Sequence, residues 1–193
     1  MKKKPFVLSV IVAILATVVV SCEKDIDYGY SITMTTEASD VTFQVDAKLY
    51  NKIEVNWGDG NIENYTSKFY TIDLKHEYLD TSPKTITITG LVTCLSCSDN
   101  GLTKLDVSNN NALIMLDCIG TPQLTSLDVS KNIALESISC SNNQFTTAEL
   151  NTLFGTLHRN NVPTKLIQIG GNPGTATCDR SIAESKGWHI FDN

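Results

Sequence analysis

Leu102-Thr103-Lys104-Leu105-Asp106-Val107-Ser108-Asn109-Asn110, followed by Asn111-Ala112-Leu113-Ile114-Met115-Leu116-Asp117-Cys118, is the stretch whose reading decides the fold. Each half follows the phrase apolar-x-x-apolar-x-apolar-x-x-Asn. The phrase recurs every ten or eleven residues: Val92, Leu95, Cys97, Asn100; then Leu102, Leu105, Val107, Asn110; then Leu113, Leu116, Cys118, with Thr121 in place of Asn. It continues with Leu124, Leu127, Val129, Asn132 and with Leu135, Ile138, Cys140, Asn143. A unit this short cannot enclose a core alone, so successive copies must stack and bury one another's apolar edges. The expected product is a rod that offers surface rather than a pocket.

Two phrases make one coil of 22 residues, since Leu105 matches Leu127 and Leu116 matches Ile138. Asn suits each corner because its amide can bond turn backbone and it tolerates a left-handed φ. Cys97, Cys118 and Cys140 fall at the same inward position, which predicts a column of small core residues. Parallel Cβ vectors disfavour a disulfide along that column, and ladder spacing is unlike a clustered metal chelate, so no metal site is expected. Ile119-Gly120-Thr121-Pro122 breaks the phrase and predicts an irregular corner. Beyond Asn143, Thr147 is expected to cap a helix with Leu150, Leu153, Phe154 and Leu157 on one apolar stripe, closing the rod. Ile167-Gln168-Ile169-Gly170-Gly171-Asn172 then recovers the repeat register.

The combined phrase L-T-x-L-D-V-S-x-N-x-x-L-x-x-L-x-C-S-x-N resembles leucine-rich repeats of secreted bacterial proteins, over residues 91 to about 146. The following tail is similar to the closing unit of that family. The resemblance implies residues 91–193 as a short leucine-rich-repeat solenoid with a C-terminal helical cap.

Residues 28–90 show a different period. Alternation runs through Val41-Thr42-Phe43-Gln44-Val45, Lys52-Ile53-Glu54-Val55-Asn56-Trp57 and Thr85-Ile86-Thr87-Ile88-Thr89, which predicts antiparallel strands with one buried face. Gly58-Asp59-Gly60-Asn61 supplies a tight hairpin, with Trp57 anchoring the incoming strand. Trp57-Gly58-Asp59-Gly60, the later His76-Glu77-Tyr78 and the closing Thr85–Thr89 strand resemble the polycystic kidney disease (PKD) type of immunoglobulin-like sandwich. That resemblance implies a spacer or interaction module and no chemistry. The expected fold is thus mainly β, an N-terminal antiparallel sandwich joined to the solenoid.

The first 21 residues, with Lys2, Lys3 and Lys4 before an apolar run from Phe6 to Val20, form an export signal. Val19-Val20-Ser21-Cys22 matches the bacterial lipobox, which implies acylation of Cys22. An ordinary secretory signal and an uncleaved anchor helix are the alternatives. Residues 22–27 form an acidic tether whose Glu23, Lys24, Asp25 and Asp27 resemble signals that send Gram-negative lipoproteins to the outer face of the outer membrane. A plain solvated tether fits the same residues. Removal of the signal takes 15 Lys+Arg down to 12 and leaves all 21 Asp+Glu, a balance of −9. That sign excludes nucleic acid and anionic headgroups as natural partners, so membrane attachment falls to the acyl chains. Five cysteines remain apart from Cys22, an odd number that leaves at least one unpaired or paired between chains. The fates of Cys94 and Cys178 are open.

No nucleophile elbow, phosphate loop, metalloprotease helix or dinucleotide fingerprint occurs, so no catalytic residue and no cofactor are assigned. His76, His158 and His189 lie far apart in sequence and read as packing or surface residues. Asp106 and Asp128, one coil apart, with Ser108 and Ser130 two residues on, form a candidate binding strip for a cation or a basic partner. The alternative is a solvated face that keeps the rod soluble. Ser96, Asp117 and Ser139 mark the other face, beside Ile114 and Met115, a set too ordinary to be assigned as a site. The expectation is a surface-exposed outer-membrane lipoprotein, not an enzyme, that presents a protein ligand face for binding or adhesion. An accessory glycan-binding lipoprotein of a carbohydrate-uptake system and a structural envelope protein are the alternatives. Sparse aromatics, with Phe145 alone at the edge of the repeats, weigh against glycan stacking.

Overall fold

The structure, a computed structural model, describes residues 26–27, 29–68 and 71–192; the expected export signal over residues 1–21 and the expected acylation site Cys22 lie outside them. The described chain is mainly β, with two sheets and little helix.

Its first half holds β1 (Ser31–Thr36), β2 (Asp40–Ala47), β3 (Lys52–Asn56), β4 (Ile62–Thr66), β5 (Ile72–Glu77) and β6 (Lys84–Thr89). The pairs β1–β6, β2–β5, β3–β4 and β3–β6 are all antiparallel. Period-two alternation explains these strands: Val41, Phe43 and Val45 on β2, Ile53 and Val55 on β3, and Ile86 and Ile88 on β6 are all buried. Each such side chain contributes roughly 1.5–3 kcal/mol by leaving water. The hairpin between β3 and β4 closes where Trp57 N–H donates to the Asn61 carbonyl at 3.0 Å.

The second half holds β7 (Val92–Ser96), β8 (Leu102–Asp106), β9 (Met115–Asp117), β10 (Ser137–Ser139), α1 (Thr147–Thr156), β11 (Leu166–Gln168), α2 (Ser181–Glu184) and β12 (His189–Phe191). Here β7, β9, β10, β11 and β12 pair in parallel without a slip, aligning Cys94, Met115, Ser137, Leu166 and His189. Only the phrases that end in Cys, with their tail equivalents, build this ladder. Of the alternate phrases, Leu102–Asp106 forms β8 against β1, whereas residues 124–128 form no strand.

Both sheets run through the boundary at residue 90. The five-stranded sheet is ordered β4-β3-β6-β1-β8 and the seven-stranded one β12-β11-β10-β9-β7-β2-β5. β2 therefore offers one edge to β5 and the other to β7, both antiparallel. An open sheet edge exposes unpaired backbone groups; here β1 pairs with β8 and β2 with β7, which satisfies them. One continuous core joins the halves, from Trp57 and Phe43 to Phe154 and Trp188.

The repeat corners form four equivalent pairs: Asp99-Asn100, Gly120-Thr121, Asn142-Asn143 and Gly171-Asn172. The first member of each takes a left-handed φ of 59°, 65°, 57° and 73° respectively. The corner at Gly120 is thus regular, contrary to the sequence expectation, because glycine supplies the required φ without cost. A Cβ on Gly120 would lie 2.0 Å from Asp99 Oδ1, and one on Gly171 2.1 Å from Asn142 Oδ1, so side chain and glycine alternate down the column.

The second members join successive repeat segments. Asn143 Nδ2 donates to the Cys118 and Cys140 carbonyls at 2.9 and 3.2 Å, while its Oδ1 accepts from Thr121 N–H at 2.7 Å. Asn172 repeats this one step on, donating to Cys140 and Ile169 and accepting from Phe145 N–H. The Thr121 hydroxyl donates to the Cys118 carbonyl at 3.1 Å, which replaces the local half of an Asn's bonding. Thr146, not Thr147, caps α1, in a capping box with Glu149. Leu150, Leu153 and Phe154 face the core, and Leu157, buried too, is the C-cap residue. Phe145 is also fully buried, so it is no part of a surface.

Candidate functional site

The W-G-D-G and H-x-Y motifs meet in space. His76 on β5 stacks on Trp57 with ring centroids 4.7 Å apart and planes 11° from parallel, and meets Tyr78 edge-on at 4.8 Å. Its Nε2 lies 2.8 Å from Asp59 Oδ2. That hydrogen bond is the main reason the Asp59 carboxyl is lowered from 3.8 to about 2. Tyr78 O–H donates to the Trp57 carbonyl at 2.8 Å, and burial pushes its phenol up to about 12. The carboxylate and the imidazole satisfy each other on a packed surface. The arrangement locks the β3–β4 hairpin onto β5 and serves as a brace.

Asp106 and Asp128 are exposed and hold equivalent places 22 residues apart in the repeat. Ser108 N–H donates to Asp106 Oδ1 at 2.9 Å and Ser130 N–H to Asp128 Oδ1 at 2.8 Å. The hydrogen bonds from Ser108 hold the Asp106 carboxyl below its ordinary value. Each aspartate thus closes its own turn, with Ser108 half-buried and Ser130 exposed. These four residues lie on the side of β8, away from the parallel ladder.

The outward face of the seven-stranded sheet carries two rows that cross every ladder strand. From the strand registers, one row reads Asp73, Gln44, Ser96, Asp117, Ser139, Gln168, Phe191. Beside it runs Asp46, Cys94, Met115, Ser137, Leu166, His189. Acidic groups cluster on β2, β5 and β9, and apolar ones toward β12; Met115 is 51% and Phe191 46% exposed. Gln44 Nε2 donates to Asp73 Oδ1 at 2.7 Å, and Ser98 O–H to Asp117 Oδ1 at 2.7 Å, which fixes both carboxylates. Neither row contains a lysine or arginine. The neighbouring Lys75 is held by Glu77 at 3.0 Å.

Each end of this face is hollowed. A groove of about 770 Å³ near β2 and β5 is lined in part by Asp46, Lys68 and Asp73. A smaller one of about 240 Å³ is lined in part by Ser139, Leu166, Gln168 and Phe191. Asp46 and Asp73 were not sequence candidates, because their membership of this face depends on β2 pairing with β7. The outward alternation Asp40, Thr42, Gln44, Asp46 on β2 was the available signal.

Cys97, Cys118 and Cys140 form the expected buried column, with free thiols that donate to the Asp117, Ser139 and Gln168 carbonyls at 3.4–3.5 Å. Burial pushes all three thiols up, Cys140 to about 12. Cys94 and Cys178 are free and half-buried. His158 Nε2–H donates to the Leu135 carbonyl at 2.7 Å, and Trp188 Nε1–H donates to the His158 carbonyl at 3.1 Å, tying the end of α1 to the tail. No group of His, Cys, Asp and Glu that could hold a metal occurs among the described residues.

Comparison with known proteins found no matching family model, no matching curated protein and no matching solved structure.

Proposed function

We propose that this chain is a cell-surface lipoprotein of the outer membrane that acts as a non-catalytic binding or adhesion module. Acylated Cys22 tethers it, a PKD-like sandwich stands next to the tether, and a short leucine-rich-repeat solenoid presents the ligand face. The observation that carries this reading is the in-register parallel ladder from Cys94 to His189, which turns a repetitive sequence into one broad, side-chain-lined surface. The aromatic brace of Trp57, His76 and Tyr78 supports the sandwich assignment, because all three motif residues are used together. The lipobox supports the anchor.

The anchor is tested by the mass of the mature chain purified in detergent. The expected N-terminus is Cys22 carrying thiol-linked and amide-linked acyl groups. A chain that begins elsewhere without lipid contradicts the lipoprotein assignment.

A further inference from the structure

We propose that the outward face of the seven-stranded sheet, across both halves of the chain, docks an extended basic segment of a partner protein in the register basic-x-x-x-basic-x-x-x-apolar. The proposal rests on the binding-module reading and supplies its face, its partner chemistry and its spacing.

The row from Asp73 to Phe191 sets that register. Asp73 on β5 and Asp117 on β9 are separated by Gln44 and Ser96, hence by three strand spacings. Strands lie about 4.8 Å apart, so the two carboxylates stand roughly 14 Å apart. An extended chain advances about 3.3 Å per residue, so a segment crossing the strands covers that distance in about four residues. Side chains four apart on an extended segment point to the same side. Phe191 lies a further three spacings beyond Asp117, past Ser139 and Gln168, beside the groove lined by Leu166. The same step of four residues therefore brings an apolar side chain to it.

Charge selects the partner. The two rows hold Asp46, Asp73 and Asp117 and no lysine or arginine, and the parent chain is itself acidic. Lysine or arginine at the first and fifth positions finds a fixed carboxylate at Asp73 and at Asp117, whereas acidic residues there meet repulsion on the β5–β9 half of the row. Continuity of the sheet through β2 and β7 matters, because the repeats alone supply only Asp117. Asp106 lies on β8 in the other sheet, with Asp128 its equivalent 22 residues on, so neither belongs to these rows.

The test is fluorescence anisotropy of a labelled nine-residue peptide with lysines first and fifth, leucine last and serines between, against the full chain in detergent micelles. Binding is expected to weaken at least ten-fold in the Asp73→Asn, Asp117→Asn double variant and to be unchanged in the Asp106→Asn, Asp128→Asn pair. The amide oxygens of the first pair retain the acceptors for Gln44 and Ser98, and Gln44→Lys, which places a cation in the row, is expected to act in the same direction. Moving the second lysine by one position is expected to weaken binding as well. Equal binding of a glutamate-for-lysine peptide or of a neutral glucan oligosaccharide, or indifference to the Asp73 and Asp117 changes, would overturn the proposal. Such a result leaves the surface-lipoprotein reading intact, since that reading is decided by Cys22 acylation and exposure on cells.

Discussion

His76 Nε2 lies 2.8 Å from Asp59 Oδ2, and this bond joins two sequence motifs seventeen residues apart. Asp59 is held near 2, below its ordinary 3.8, chiefly by that bond. A lowered carboxylate contributes stability that is complete above its unfolded value and is lost as the pH falls through the folded one. The melting temperature of the wild type is therefore expected to fall between pH 3.8 and about pH 2, and the Asp59→Asn variant to lose much of that slope. His76→Asn should return the Asp59 carboxyl toward its ordinary value in an NMR titration. An unshifted titration in that variant would count against the brace.

The thiol column makes a chemical prediction. A thiol reacts as thiolate, and burial holds Cys97, Cys118 and Cys140 protonated and out of reach. An aromatic disulfide reagent should titrate Cys94 and Cys178 in the native chain and release the other three only in denaturant. Rapid reaction of all five would mean that the core around this column opens easily.

Gly120 is expected to resist substitution for two reasons, its left-handed φ of 65° and the Asp99 carboxylate against its missing Cβ. Gly120→Ala should cost about 1–2 kcal/mol from backbone conformation alone, with a further loss from displacing Asp99. Adding Asp99→Gly should recover the second part and not the first. Urea unfolding of the two variants separates the contributions.

Asn143 and Asn110 occupy similar corners with different bonding. Asn143 is buried, donates to the Cys118 and Cys140 carbonyls and accepts from the Thr121 N–H. Asn143→Ala should cost about 2–4 kcal/mol, since partners are left unpaired in the interior. The Asn110 amide is buried without a protein partner. Asn110→Ala should accordingly cost much less, and equal losses in equilibrium unfolding would contradict this division.

Local periodicity made much of the fold legible. Val41 to Val45 announced a strand by alternation, and Leu116, Ile138 and Ile167 announced ladder positions by their spacing. What was not legible depends on contacts distant in sequence. Nothing local in Val92–Ser96 states that it pairs with β2, so the continuity of the sheet and the place of Asp46 and Asp73 on the ladder face could not be read. β1 is not legible by alternation, because its inward Ile32, Met34 and Thr36 mix apolar and polar types. At Thr146 and Thr147 two adjacent threonines could each cap α1, and the Glu149 side chain, bonded to Thr146 N–H at 2.7 Å, decides between them. The repeat phrase makes Asp106 and Asp128 equivalent and outward. Their use in closing turns depended on backbone geometry.

The most direct test of the central claim is protease and antibody accessibility of the chain on intact cells, compared with a Cys22→Ala variant. The account predicts cleavage and labelling of the wild type on intact cells, with loss of cell-bound label when Cys22 is replaced. Protection in intact cells, with cleavage only after lysis, would place the protein beneath the outer membrane and contradict a surface binding role.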